Sequence, residues 1–221
     1  MQQITYHQVK ASEEIKTYIQ EADLSLQALG YTEHSFAHVT KCAKVASELL
    51  RKLGYSERTC ELAAIAAYMH DIGNVVNRID HAQSGAVMAF RILDKMGMHA
   101  KELATVVTAI GNHDEKTAFP VNEVAAALIL ADKTDVRRSR VRSKADIQTD
   151  IHDRVNYAVH HSTTILNLEK RTFTLELELD TNVCPILEYF EIFMERMLLC
   201  RRAAAYFDLV FEVIINNQKL M

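Results

Sequence analysis

Six residues of two chemical types stand at telling places in this chain: His38, the adjacent pair His70 and Asp71, His81, His113, and Asp132. Each lies at or near one end of a segment whose apolar residues recur at helical spacing. His38 opens a stripe continued by Cys42, Val45 and Leu49, at offsets of four, seven and eleven, so its imidazole points the same way as side chains destined for the core. Asp132 closes a stripe begun by Val121, Ala125 and Leu128, at the same offsets. His70 and Asp71 end the apolar run AAYMHDIGN, His81 opens the next helical segment, and His113 extends the series Leu103, Val106 and Ile110.

Burying an unpaired carboxylate is costly, and a divalent cation shared by the whole set removes that cost. A single inward histidine is usually a hydrogen-bonded core residue, so the metal reading rests on the set. On a helix of about 3.6 residues per turn, His70 and Asp71 point about 100° apart and grip one site from two angles. Imidazole with carboxylate suits Mn, Fe, Zn, Co or Ni rather than Ca.

The elements that must position these groups follow from periodicity and punctuation. Only six glycines and two prolines interrupt the chain. A helix is predicted from about 32 to 53, with Val39, Ala43, Ala46, Leu50 and Leu53 on its apolar face and Gly54 closing it. Ser56 reads as the N-cap of a second, which carries Leu62, Ile65, Ala66 and Met69 and stops near Gly73. A third runs from about 81 to 96 with Val87, Phe90 and Leu93 inward; a fourth stops at Gly111; a fifth follows Pro120.

After about Tyr157 the period changes. Phe173, Leu175, Leu177 and Leu179 alternate with Thr174, Glu176 and Glu178, as in a strand with one wet face. A strand at 165 to 168, a turn at Glu169-Lys170-Arg171, a helix from about 185 to 206 and a last strand from about 209 to 215 complete a β-β-α-β unit. The expected fold is therefore mainly α: a helical bundle over 1–156 with a small α+β appendage over 157–221.

Composition sets the background. With 221 residues, 49% of them hydrophobic, the chain can bury a full core. Its 25 Lys and Arg against 29 Asp and Glu give a net charge of -4, no general field for nucleic acid or an anionic membrane. The longest apolar runs, 62–69 and 124–131, are far short of the ~18 residues that span a bilayer. The start, MQQITYHQVK, lacks the order of a secretory signal. Cys42, Cys60, Cys184 and Cys200 form no C-x-x-C pair, and a reducing cytoplasm is expected.

The ordered set His, His-Asp, His, His, Asp, with A-D-K at 131–133, resembles the HD superfamily of metal-dependent phosphohydrolases over about 32–142. The resemblance implies a helical HD-type bundle holding one or two divalent ions, with Mg added to the metals above. It assigns His38, His70, Asp71 and Asp132 to one metal and His81 and His113 to a second, with Asp71 bridging as the catalytic centre. HAQSGAV and IGNHDE are similar to the dinuclear branch, which includes dinucleoside polyphosphate hydrolases. The implied activity is hydrolysis of a phosphate ester or anhydride, with a small phosphorylated substrate, a nucleotide, as partner. Many dinuclear relatives read H-D-I-G-K, whereas Asn74 stands here in place of the lysine. Asn74 thus becomes a substrate-side residue of interest.

Other motifs carry competing readings. GNHDE at 111–115 also matches a calcineurin-like metallophosphoesterase signature, but the D-x-H and G-D-x-x motifs that family needs upstream do not occur. His113 is retained as a ligand and Asp114 is not, while the pair His152-Asp153 reads as solvated helix surface. The basic run 137–144 reads either as a solvated turn or as a phosphate clamp, in which Lys133, also a catalytic candidate, and Arg138 hold phosphate oxygens. The competing class is a non-catalytic metal- or nucleotide-binding regulator. The alternating strand of the appendage also offers an edge that could build a homodimer.

Overall fold

The computed structural model describes residues 3–142 and 151–221. Ser143 and Lys144, the end of the basic run, lie outside the described residues. The chain divides into two compact units, Met1–Asp132 and Lys133–Met221. The switch from helix to strand comes later, where α8 (Ile151–Ala158) gives way to β1 (Val159–Asn167).

The first unit is helical. Two helices that periodicity had not singled out, α1 (Tyr6–Ala11) and α2 (Glu13–Ala28), precede the expected series. Thr5 caps α1 in a reciprocal box with Gln8, and Ser12 caps α2. α3 (Phe36–Lys52) begins at the Ser35 cap and buries His38, Val39, Cys42, Ala43, Ala46, Leu49 and Leu50. α4 (Glu57–Met69) begins at the Ser56 cap, and from Leu62 to Met69 it is buried on every side. A helix apolar all round must be enclosed, and α4 packs against α3, α1 and the later α6.

After Met69 the chain tightens into a 3-10 turn, Ile72–Val75, on which both α2 and α5 (His81–Lys95) pack. α5 lies on α6 (Ala100–Gly111). α7 (Glu123–Lys133), capped by the Asn122 side chain accepting from the Ala125 N–H at 2.7 Å, is buried from Val124 to Ala131.

Two expectations on this unit are corrected. Val87 and Phe90 are not inward: they are 69% and 51% exposed, and the buried face of α5 is His81, Ala82, Gly85, Ala86, Ala89, Ile92 and Leu93. The reason is the close approach of the neighbouring backbone, which small residues permit and bulky ones would block. A Cβ on Gly85 would stand 3.2 Å from both the Gly73 nitrogen and the His70 carbonyl oxygen. Val121, expected on the inward stripe that ends at Asp132, is 45% exposed because it precedes the helix.

The second unit carries a four-stranded sheet in the order β1-β2-β3-β4. β1 pairs antiparallel with β2 (Thr172–Leu179), joined by the expected turn, with Arg171 in the left-handed region. β2 pairs in parallel with β3 (Val210–Ile215) across the crossover helix α9 (Ile186–Tyr206), which packs on β3. The β-β-α-β order is extended by a two-residue strand, β4 (Gln218–Lys219), antiparallel to β3. Phe173, Leu175, Leu177 and Leu179 are buried as the alternation requires. Thr174, on the nominally wet face, is buried as well, its hydroxyl donating to Glu212 Oε2 at 3.1 Å.

Three arginines of the basic run, Arg137, Arg138 and Arg140, are engaged by neighbouring groups. The Asp135 carboxylate is wholly buried and pairs with Arg137 at 2.9 Å, while buried Arg140 donates to the Asp135 carbonyl at 2.9 Å. Arg138 donates to the Tyr157 carbonyl and lies 4.3 Å over the Tyr157 ring. The pair His152-Asp153 is only half solvated: His152 is exposed, but Asp153 is buried in α8. Val155, Asn156 and Ala158 share that buried face, so Asp153 falls on the inner side of the short helix.

Candidate metal centre

All six singled-out residues belong to the first unit, and the fold brings their polar atoms together. α3 delivers His38 in its first turn, the end of α4 delivers His70, and Asp71 sits where the α-helix tightens to 3-10. His81 is the first residue of α5, His113 follows the end of α6, and Asp132 is the penultimate residue of α7. Five of the six are buried and Asp132 is nearly so.

The separations fall into two groups that share Asp71. Its Oδ2 lies 3.2 Å from His70 Nε2 and 3.6 Å from His38 Nε2. Asp132 Oδ1 lies 3.3 Å from His38 Nε2 and 3.6 Å from His70 Nε2. The other oxygen of Asp71, Oδ1, faces His81 Nε2 at 3.6 Å and His113 Nε2 at 4.0 Å, and those two nitrogens are 3.2 Å apart. Ligands about 2.1 Å from one ion stand about 3.0 Å apart at right angles and about 3.4 Å apart at tetrahedral angles. Three of the observed spacings fall within that range and the other four lie 0.2–0.6 Å beyond its upper end, close enough for one ion to draw each group together.

Three of the histidines are held alike. Nδ1 of His70 lies 2.7 Å from the Ala67 carbonyl oxygen, Nδ1 of His81 3.0 Å from that of Arg78, and Nδ1 of His113 2.6 Å from that of Ile110. A carbonyl only accepts, so each Nδ1 carries the proton and each Nε2 lone pair is turned to the centre, the arrangement found behind metal-bound imidazoles. His70 Nε2 is buried with no hydrogen-bond partner among the described residues. An orphaned inward nitrogen is costly in an interior and natural beside a cation. The donor set therefore fits one or two divalent ions.

The cluster's electrostatics without an ion make the same point. Burial by itself would lower the His70 imidazole, but the carboxylates of Asp71 and Asp132 outweigh it and raise the pKa to about 10. Burial by itself would raise the Asp71 carboxyl, but His70, with His34 and His81, drives it well below the usual range. Cys42 borders the group, with Sγ 3.7 Å from His38 Nδ1 and directed at the Ala131 carbonyl oxygen at 3.7 Å.

Asn74 is 2% exposed, and its amide nitrogen donates to the Asp71 carbonyl at 2.9 Å and to Asp71 Oδ1 at 3.0 Å. Lys133 and Arg138 belong to the second unit, Lys133 buried at the end of α7 and Arg138 held at Tyr157. Two residues of the centre escaped the sequence reading. His34, four before His38, has its ring 5.5 Å from that of His38, its Nδ1 2.7 Å from the Thr32 carbonyl oxygen, and its backbone N–H on Asp23. The repeat of the four-residue spacing, H-S-x-x-H, was its signal. Arg78 reaches His81 and Asn74, and its signal was a cation four residues after Asn74 and three before His81.

A helical unit converging on a buried His/Asp cluster defines an α-domain with groups that could hold a metal ion. The family model described as "HD domain" matches residues 35–147, and the chain belongs to that family. An uncharacterized protein of Methanocaldococcus jannaschii is 26% identical over 159 residues, 62% of this chain and 61% of that relative's length. The crystal structure of a predicted HD superfamily hydrolase from an uncultured Thermotogales bacterium is 28% identical, with 56% of this chain and 67% of that one covered and a TM-score of 0.45. HD domains typically bind divalent metals, and the buried cluster described here is of that kind. No helix among the described residues is long and apolar enough to cross a membrane.

Proposed function

We propose that this chain is a metal-dependent phosphohydrolase that binds two divalent ions and cleaves a phosphate ester or anhydride of a nucleotide. The observation that carries the reading is the division of Asp71, one oxygen toward His38, His70 and Asp132 and the other toward His81 and His113. His38, His70, Asp71 and Asp132 would hold the first ion, and Asp71, His81 and His113 the second. Bound there, such a pair lowers the pKa of a water toward about 7 and offsets charge on the attacking and leaving oxygens.

The protein's own contribution is to hold the ligands and to keep the histidines in the receptive tautomer. The carbonyls of Ala67, Arg78 and Ile110 do this for His70, His81 and His113. Asn74 orients the Asp71 carboxylate through one hydrogen bond to Oδ1 and ties itself to the Asp71 backbone carbonyl through another. The reading rests on the first unit alone and does not draw on Lys133 or Arg138. The choice of a nucleotide is supported by the similarity of HAQSGAV and IGNHDE to the dinuclear branch. A reducing cytoplasm is part of the same proposal, supported by four buried cysteines that form no disulfide.

The test is a screen of nucleotides and dinucleoside polyphosphates with Mn- or Fe-loaded protein, run beside Asp71→Ala. Phosphate release by the native chain and none by the variant is expected. An Asp71→Ala protein that stays metal-loaded and active would sink the assignment.

A further inference from the structure

Asn74 brings no charge to the centre, since its amide is neutral and turned inward onto Asp71. Its remaining atom, Oδ1, accepts instead from Arg78 Nη1 at 3.4 Å. The same Nη1 lies 3.3 Å from His81 Nε2, the nitrogen that faces Asp71 Oδ1 and His113. The guanidinium carbon sits 5.6 Å from the centre of the Tyr31 ring, which supports it from a further side.

Arg78 thus has three neighbours, an amide oxygen, an imidazole and an aromatic face, and none neutralises it. No carboxylate forms an ion pair with it among the described residues, in contrast to Arg51, Arg58, Arg137 and Arg154, which each have at least one. A half-buried arginine held in place at a metal centre but left without an anion is suited to take one from solution. Its planar fork matches the oxygens of a phosphoryl group, and its charge does not depend on pH.

We propose that Arg78 is a substrate-binding residue that holds the phosphoryl group of the substrate at the His81 and His113 end of the centre, with Asn74 as its anchor. The pair divides the work: the asparagine orients Asp71 and Arg78, four residues on, brings the charge. This inference rests on the phosphohydrolase reading and narrows the ligand to one with a terminal or exposed phosphoryl dianion.

The experiment is calorimetric titration of metal-loaded full-length protein with inorganic phosphate, for the native chain, Arg78→Met and Arg78→Lys, with metal content measured on each sample. Removing a charge-assisted donor is expected to weaken phosphate about ten- to hundredfold, with the metal content unchanged and Arg78→Lys recovering part of the loss. Equal phosphate affinity in native and Arg78→Met protein overturns the inference while leaving the phosphohydrolase reading standing. Loss of metal from Arg78→Met also overturns it, by making Arg78 a support for His81. Native, metal-loaded protein that binds no phosphate overturns the phosphohydrolase reading and this inference together.

Discussion

Gly73→Ala isolates the packing that brings the two halves of the metal centre together. A Cβ at Gly73 would stand 2.0 Å from the His81 carbonyl oxygen, 2.4 Å from the Gly85 nitrogen and 2.7 Å from Ser84 Oγ. Ordinary contact begins at 3.4 Å, so the first turn of α5 would have to retreat by 3.4 − 2.0 = 1.4 Å from the 3-10 turn. Both of the nearest obstacles are backbone, so a side-chain rotation cannot relieve them. Overpacking costs about 1–3 kcal/mol, and backbone displacement places this case near ~3 kcal/mol. At about 2–4 °C per kcal/mol, the Tm should fall by roughly 6–12 °C.

His81 is the residue whose carbonyl must move, so the His81 and His113 end of the centre should lose its ion while the His38, His70 and Asp132 end keeps one. Gly85→Ala is the control. Its Cβ meets the Gly73 nitrogen and the His70 carbonyl oxygen at 3.2 Å, a squeeze of a few tenths of an ångström, and alanine returns about 1 kcal/mol of helix propensity. That variant should stay within about 1 kcal/mol of the native protein. Thermal unfolding and elemental analysis of both variants decide the matter. A Gly73→Ala protein as stable as Gly85→Ala and carrying the native metal content would refute the reasoning.

Two further outcomes follow from the same geometry. Without metal, the His70 imidazole is raised to about 10, so the stability it contributes is complete below its ordinary value of 6.5 and is lost as pH rises through about 10. A metal must displace that proton, so metal affinity should climb about tenfold per pH unit between about 7 and 10, while chelator-treated protein loses stability over the same span; affinity flat in pH would contradict this. On α5, Phe90→Ser should change stability by less than about 0.5 kcal/mol, whereas Leu93→Ala should cost about 2–5 kcal/mol, and denaturant titration showing equal costs would restore the inward placement of Phe90.

The helices were legible wherever a cap and a period agreed. Ser35, Ser56 and Gly54 mark ends that the structure places within a few residues of those read from the sequence. Period alone failed on α5, because bulk and not only apolarity decides which side of a helix can meet a backbone at close range. Gly85 and the alanines around it won over Val87 and Phe90. α1 and α2 were passed over although Thr5 and Ser12 are caps of the kind used elsewhere in the chain.

The six His and Asp residues were legible because an ionisable group on an apolar stripe is costly and therefore rare. Arg78 was not, because it lies outside any helix, between the 3-10 turn and α5, where spacing carries no facing information. The engagement of the basic run by Asp135 and Tyr157 was hidden for the same reason.

The central claim is that Asp71 bridges two ions, and the most direct measurement is the metal content per chain of protein purified without chelator. By elemental mass spectrometry the account predicts about two first-row divalent ions per native chain and about none in Asp71→Ala, since each group loses the Asp71 oxygen that faces it. A native chain that holds about one ion, or that takes up none even after incubation with Mn or Fe, would contradict it.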